Sequence, residues 1–206
     1  MNAPKTTDTP TKGRFIDNFF EVSVLPIALV CIFLVMFNTS VTSFIAPYSE
    51  TIGLLESSSY FFIFYVIGLI GTRPIVSKLF DKKGATFVVI PGAIIYVSSF
   101  LVLAMVNSEF MLFLAGVLAG IGLGACQNTT NSLALSIAPP RRLGFANATY
   151  FAAFDTCASA GPLIAGLMIT SMGYRQMLVI AAIWTAIGIP VYLIVSRKFL
   201  NKRTSR

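Results

Sequence analysis

A carboxyl group inside a long apolar run is the first residue that calls for chemistry. Asp155, in "ANATYFAAFDTCASAGPLIAG", stands about ten residues from the basic end of its run, roughly 15 Å along a helix at 1.5 Å per residue. An ionisable side chain at that depth is costly in hydrocarbon and is a functional candidate by default. Two chemistries are open to it. Apolar surroundings favour the neutral acid, which fits the group to take up and release a proton. An adjacent Arg73 would instead hold it ionised as a structural pair, and Ser159, one turn away, offers a hydrogen bond. The remaining acidic residues, Asp8, Asp17, Glu21, Glu50, Glu56, Asp81 and Glu109, lie outside the apolar cores.

Amides and hydroxyls at helical spacing form a second set. Asn38 and Thr42 are one turn apart in "FNTSVTSFIAPY", as are Gln127 and Asn131 in "CQNTTNSLAL". Facing such groups to lipid is costly, so they are expected to point inward and line a cavity, where they touch either a solute or one another. Enzyme chemistry is poorly supplied. The chain has no histidine, no two carboxylates share a helical face, and no glycine-rich phosphate loop follows a strand. Cys31, Cys126 and Cys157 sit singly in apolar runs rather than at metal-ligand spacing, and are expected to be buried, reduced small hydrophobes. No metal, no cofactor and no enzymatic activity are expected.

The elements that carry these residues follow from composition. At 56% hydrophobic residues, 13% aromatic and a mean hydropathy of +0.81, the chain exceeds what a soluble domain of 206 residues can bury. A hydrocarbon core of about 30 Å takes about 20 apolar residues of helix. Six runs meet that length: 24–48, 57–79, 86–106, 109–137, 145–171 and 174–196. Short turn sequences such as "DKKGA", "NSE" and "SMGYR" separate them, and no ten-residue alternation suggests a β-barrel. The fold class is an all-α polytopic membrane protein. A polar tail over 1–23 precedes a six-helix bundle over 24–196, and a basic tail covers 197–206. The first run is long enough to cross uncleaved, so no signal peptide is expected.

Charge sets the orientation. With the first tail inside, fourteen of the fifteen basic residues fall on the inner side and only Arg175 on the outer, so both termini are expected to be cytoplasmic. The same clustering at membrane edges argues against nucleic acid as a partner of this +7 chain and for membrane lipid.

One charged loop carries more than topology. "GTRPIVSKLFDKKGAT" resembles the signature G-x-x-x-D-[RK]-x-G-[RK]-[RK] between the second and third helices of each half of major facilitator superfamily transporters. Asp81, Lys82 and Gly84 match it, while Ser77, Ala85 and Thr86 depart from it. "GTRP", with Arg73, and "APPRRLGFANAT" also look like drug and sugar efflux members. Physically, Gly84 suits a tight reversal, and Asp81 is expected to cap or ion-pair at a helix end. The resemblance implies a gating latch built from Arg73, Asp81, Lys82 and Gly84; the positive-inside rule by itself also accounts for the lysines. The fifth run resembles the superfamily's antiporter signature at Gly161, Pro162 and Gly166, with Ala148, Cys157 and Ala165 where glycines would stand. Small residues there serve either close packing or a rocking helix.

Internal repetition agrees. A shift of 90 residues places Tyr60, Phe61, Phe64 and Gly71 on Tyr150, Phe151, Phe154 and Gly161, as the family's 3+3 inverted repeat implies. Gly116, Gly120 and Gly124 form a close-packing face on the fourth run. The resemblance covers one six-helix half. With Gly116 where a first half carries arginine, it points to the C-terminal half, the polar tail being the remnant of a central linker. The implied function is half of a secondary transporter, proton-coupled and exporting a small amphipathic solute, in a bacterial cytoplasmic membrane. A truncated product, a split half completed by a second bundle, and a homodimer are the open forms; a non-transporting scaffold or regulatory subunit is the alternative class.

Overall fold

The first crossing is a broken rod. In the computed structural model, which describes residues 21–204, a short 3-10 turn at Val22–Val24 leads into α1 (Leu25–Val35), and α2 (Asn38–Thr51) completes the span beyond a break at Met36 and Phe37. Neither residue is glycine or proline. Packing accommodates the break, because Gly161 from the fifth span has no side chain to meet the Met36 carbonyl at this point. Residues 1–20 and 205–206, which hold most of the expected N-terminal tail and the end of the basic tail, lie outside the described residues.

The other spans are continuous: α3 (Ser58–Lys83), α4 (Thr86–Ala104), α5 (Glu109–Ile137), α6 (Leu143–Met172) and α7 (Tyr174–Thr204). No strand occurs among the described residues. All six spans are long and apolar enough to cross a membrane. Local chemistry sets several ends. Ser108 caps α5 by accepting the Met111 N–H at 3.4 Å. Gly84 and Gly173 end α3 and α6 at φ 84° and 87°, where a β-carbon would be strained. α3 runs four residues past its expected end, which puts Lys82 and Lys83 in its last turn, beside the exposed carbonyls that favour positive charge. α7 likewise continues through Arg197 to Thr204, as no glycine or proline follows Pro190.

The packing has an internal symmetry. α5 lies against α3 and α4, while α1 lies against α6 and α7; α4 meets α7, and α1 meets α5. Exchanging the first three spans for the last three maps each of these contacts onto another or onto itself. This is the 3+3 arrangement of one half-bundle. Its tightest seam is glycine-lined: Gly68 abuts the Val117 carbonyl, Gly116 the Phe61 carbonyl, Gly120 the Tyr65 carbonyl and Gly124 that of Leu69. In lipid, where apolar burial between helices gains little, this close approach is a main source of helix association.

The core tyrosines are buried but satisfied, as buried hydroxyls must be. Tyr150 pairs with Thr130 at 2.8 Å, Tyr192 with Thr86 at 3.2 Å, and Tyr48 donates to the Leu103 carbonyl at 2.7 Å. α3 and α6 are the least buried spans, each held along one face and bare along the rest.

Candidate functional site

Three spans converge on Asn38. It opens α2 directly after the helix break, and its Oδ1 accepts the Tyr65 hydroxyl of α3 at 3.0 Å and the Tyr96 hydroxyl of α4 at 3.2 Å. Tyr96 is fully buried; Asn38 and Tyr65 are half-buried. Thr42, one turn on, turns its hydroxyl back to its own helix and donates to the Thr39 carbonyl at 3.1 Å. Gln127 and Asn131 are half-buried on α5. The Gln127 backbone carbonyl accepts the Tyr150 hydroxyl at 3.1 Å, whereas neither its amide nor that of Asn131 has a partner among the described residues. The two sequence pairs therefore share faces as their spacing requires, but do not bond to each other.

On α6, the three signature residues divide. Gly161 is buried against Met36 and Ser40, so its lack of a side chain is required. Gly166 meets only the tip of Phe44 at 3.6 Å and would tolerate a methyl group. Pro162 sits within the helix without ending it. Asp155 is exposed on the outward face, twelve residues past Leu143 or roughly 18 Å along the axis.

Neither expected structural partner of Asp155 is found. Arg73 is exposed on α3, a helix that packs on α5 rather than on α6, so no ion pair forms between them. The Ser159 hydroxyl donates at 2.9 Å to the backbone carbonyl of Asp155, the usual outcome for a serine one turn downstream, and not to its carboxylate.

The charged loop also differs from expectation. Because α3 extends through it, Asp81 lies in the last turn of that helix, where carbonyls rather than N–H groups are exposed, so it caps nothing. It is exposed without an ion pair among the described residues, as are Arg73 and Lys82. Gly84 does make the reversal, its N–H closing on the Phe80 carbonyl at 2.9 Å. Lys83 lies over the Phe87 ring at 4.3 Å.

Cys31, Cys126 and Cys157 are free and buried. Among the described residues no group of three His, Cys, Asp or Glu could hold a metal.

Glu21, which its sequence position places in the polar tail over 1–23, is instead buried in the fold. Its carboxylate is buried and pairs with Arg142 Nε at 3.1 Å by charge rather than through an aligned hydrogen bond. Its N–H donates to Thr149 Oγ1 at 2.9 Å, and Ser23 donates to its Oε1 at 2.7 Å. The start of the first span is thus clamped to the start of α6. Allowing for the partial exposure of Arg142, Glu21→Gln is expected to cost about 1–2 kcal/mol. Thermal unfolding in detergent checks this, and an unchanged midpoint would show that the clamp is not stabilising.

Comparison with known proteins bears on this arrangement. The family described as Major Facilitator Superfamily matches residues 27–206. Over 186 residues the chain is 25% identical to the multi-drug resistance efflux pump PmrA homolog of Lactococcus lactis subsp. lactis (strain IL1403), covering 85% of this chain and 45% of that protein. Over 194 residues it is 27% identical to the 4-hydroxybenzoate transporter PcaK of Pseudomonas putida, covering 89% of this chain and 42% of that protein. The chain spans less than half the length of each of these relatives.

Proposed function

The chain belongs to the major facilitator superfamily, and from that premise we propose that it forms one six-helix half, the C-terminal one, of a proton-coupled secondary transporter that exports a small amphipathic solute. It is a multi-pass integral membrane protein. Both relatives move small organic molecules by name, and both come from bacteria, which supports a bacterial cytoplasmic membrane. One observation carries the reading: α3 and α6, the least buried spans, hold unpartnered ionisable groups, Arg73 and Asp155, on their bare faces. Hydrocarbon is a poor neighbour for such groups, whereas a second bundle enclosing a watered site is a good one. In that role Asn38, Thr42, Gln127 and Asn131 line the site from this side. Asp155 carries the proton, and the loop around Asp81 and Gly84 latches to the second bundle.

The test is flux in vesicles under an imposed pH gradient, with ethidium and 4-hydroxybenzoate as probes. Vesicles holding the chain together with a second bundle co-purified from native membranes are expected to move one of them against its gradient, and vesicles holding the monomeric chain to move neither. Flux by the monomer would overturn the half-transporter reading. Absence of flux in the joint preparation would leave a scaffold.

A further inference from the structure

Within the Asn38 node the bundle leaves a pair of hydrogen-bond donors unused. Both tyrosine hydroxyls are spent on Oδ1, so the Nδ2 amino group lies on the far side of the amide, with two N–H donors and no partner among the described residues. Asn38 is half-buried, as are Thr39 and Thr42 beside it. It stands sixteen residues into a thirty-residue span, near mid-membrane. Lipid tails cannot accept a hydrogen bond there, so the natural acceptor is water or a solute oxygen.

Aromatic rings pack behind the donors: Phe61, Phe100, Phe37 and Tyr96 are buried, and half-buried Tyr65 is the ring of the node that a solute can reach. Tyr65 stacks on Phe61 with 6.2 Å between ring centres, Tyr96 leans on Phe100 at 4.8 Å, and Phe37 next in sequence meets Trp184 edge-on at 6.4 Å. Charge narrows the ligand further. Among the described residues no Lys or Arg bonds to the three side chains of the node, and Arg73, eight residues along α3 from Tyr65, is roughly 12 Å away along the helix. An ionised carboxylate would therefore be desolvated without a counter-ion, and a cationic head would meet donors instead of acceptors. We propose that Asn38, oriented by Tyr65 and Tyr96, is a binding subsite for a neutral carbonyl oxygen on a flat aromatic solute. The subsite is complete within this bundle, since spans one to three supply all of it; its role in transport rests on the half-transporter reading.

Trp184 is the chain's one tryptophan and stacks on Phe33 at 4.9 Å, close to the node, so its fluorescence reports binding. The probes are 2-acetylnaphthalene, a neutral ketone, and 2-naphthoate, which has the same ring and a carboxylate. In vesicles of the full chain the ketone is expected to quench Trp184 saturably, with 2-naphthoate about tenfold weaker. Asn38→Leu keeps the side-chain volume but removes the N–H donors, and is expected to weaken the ketone about tenfold. Asn38→Ser, which leaves a hydroxyl for the tyrosines, supplies the same comparison should the apolar side chain upset folding. Quenching that stays linear in wild type, or saturates identically in the variants, would sink the subsite, and tighter binding of 2-naphthoate would make it an anion site instead. Asn38-dependent binding beside an absence of flux in the joint preparation with a second bundle would leave the subsite standing and remove the transporter reading.

Discussion

Gly120→Val is expected to part α3 from α5 and destabilise the bundle by about 3 kcal/mol, since overpacking here meets backbone that no rotamer change can move aside. A β-carbon at Gly120 collides with the Tyr65 carbonyl and comes within 2.8 Å of the Leu69 nitrogen. The seam repeats the contact at Gly116 and Gly68, so one displaced turn levers its neighbours apart. Tyr65 moves with α3, so its bond to Asn38 should break as well. Gly71→Val is the control. It makes the same substitution on α3, where nothing lies within 4 Å, and should leave the isolated bundle's unfolding midpoint nearly unchanged. Equal midpoints for the two variants would mean that the glycine seam does not hold these spans together.

That seam was legible in the sequence, because glycines at four-residue spacing in an apolar run have few other uses. Span existence was equally legible. α5 fills 109–137 as expected, between "NSE" and "APP", where Ser108 supplies the cap and Pro139 and Pro140 end the helix. What stayed hidden depends on contacts between distant spans. The break at Met36 and Phe37 has no glycine or proline to mark it, and the residue that packs beside it, Gly161, comes from another helix. Asn38 was visible as a polar residue in an apolar run, but its partners lie 27 and 58 residues away on spans whose rotation the sequence does not fix. Glu21 read as part of a polar tail until Arg142 and Thr149 were brought beside it. Asp81 was misplaced for a simpler reason. Helix ends are the least certain part of any sequence assignment, and four more residues of α3 turned an expected cap into a residue of the last turn.

Asp155→Asn carries the largest functional consequence. The substitution nearly preserves shape, and the wild-type carboxylate is exposed with no partner among the described residues, so folding should change by no more than about 0.5 kcal/mol. Transport should not survive so well. If Asp155 carries the coupled proton, an amide cannot replace it, because it neither binds nor releases a proton between pH 5 and 9. Accumulation driven by a pH gradient should fall to the level of empty vesicles. Exchange of labelled for unlabelled solute at equilibrium needs no net proton movement and should persist. That split separates a coupling group from a merely structural one, whose loss would depress both activities together. It also separates Asp155 from Asn38, because Asn38→Leu should weaken solute affinity in either assay while leaving the pH dependence in place. Gradient-driven transport by Asp155→Asn with wild-type pH dependence would remove the proton from this residue. The bare face of α6 would then be a surface on which the second bundle packs without using its charge.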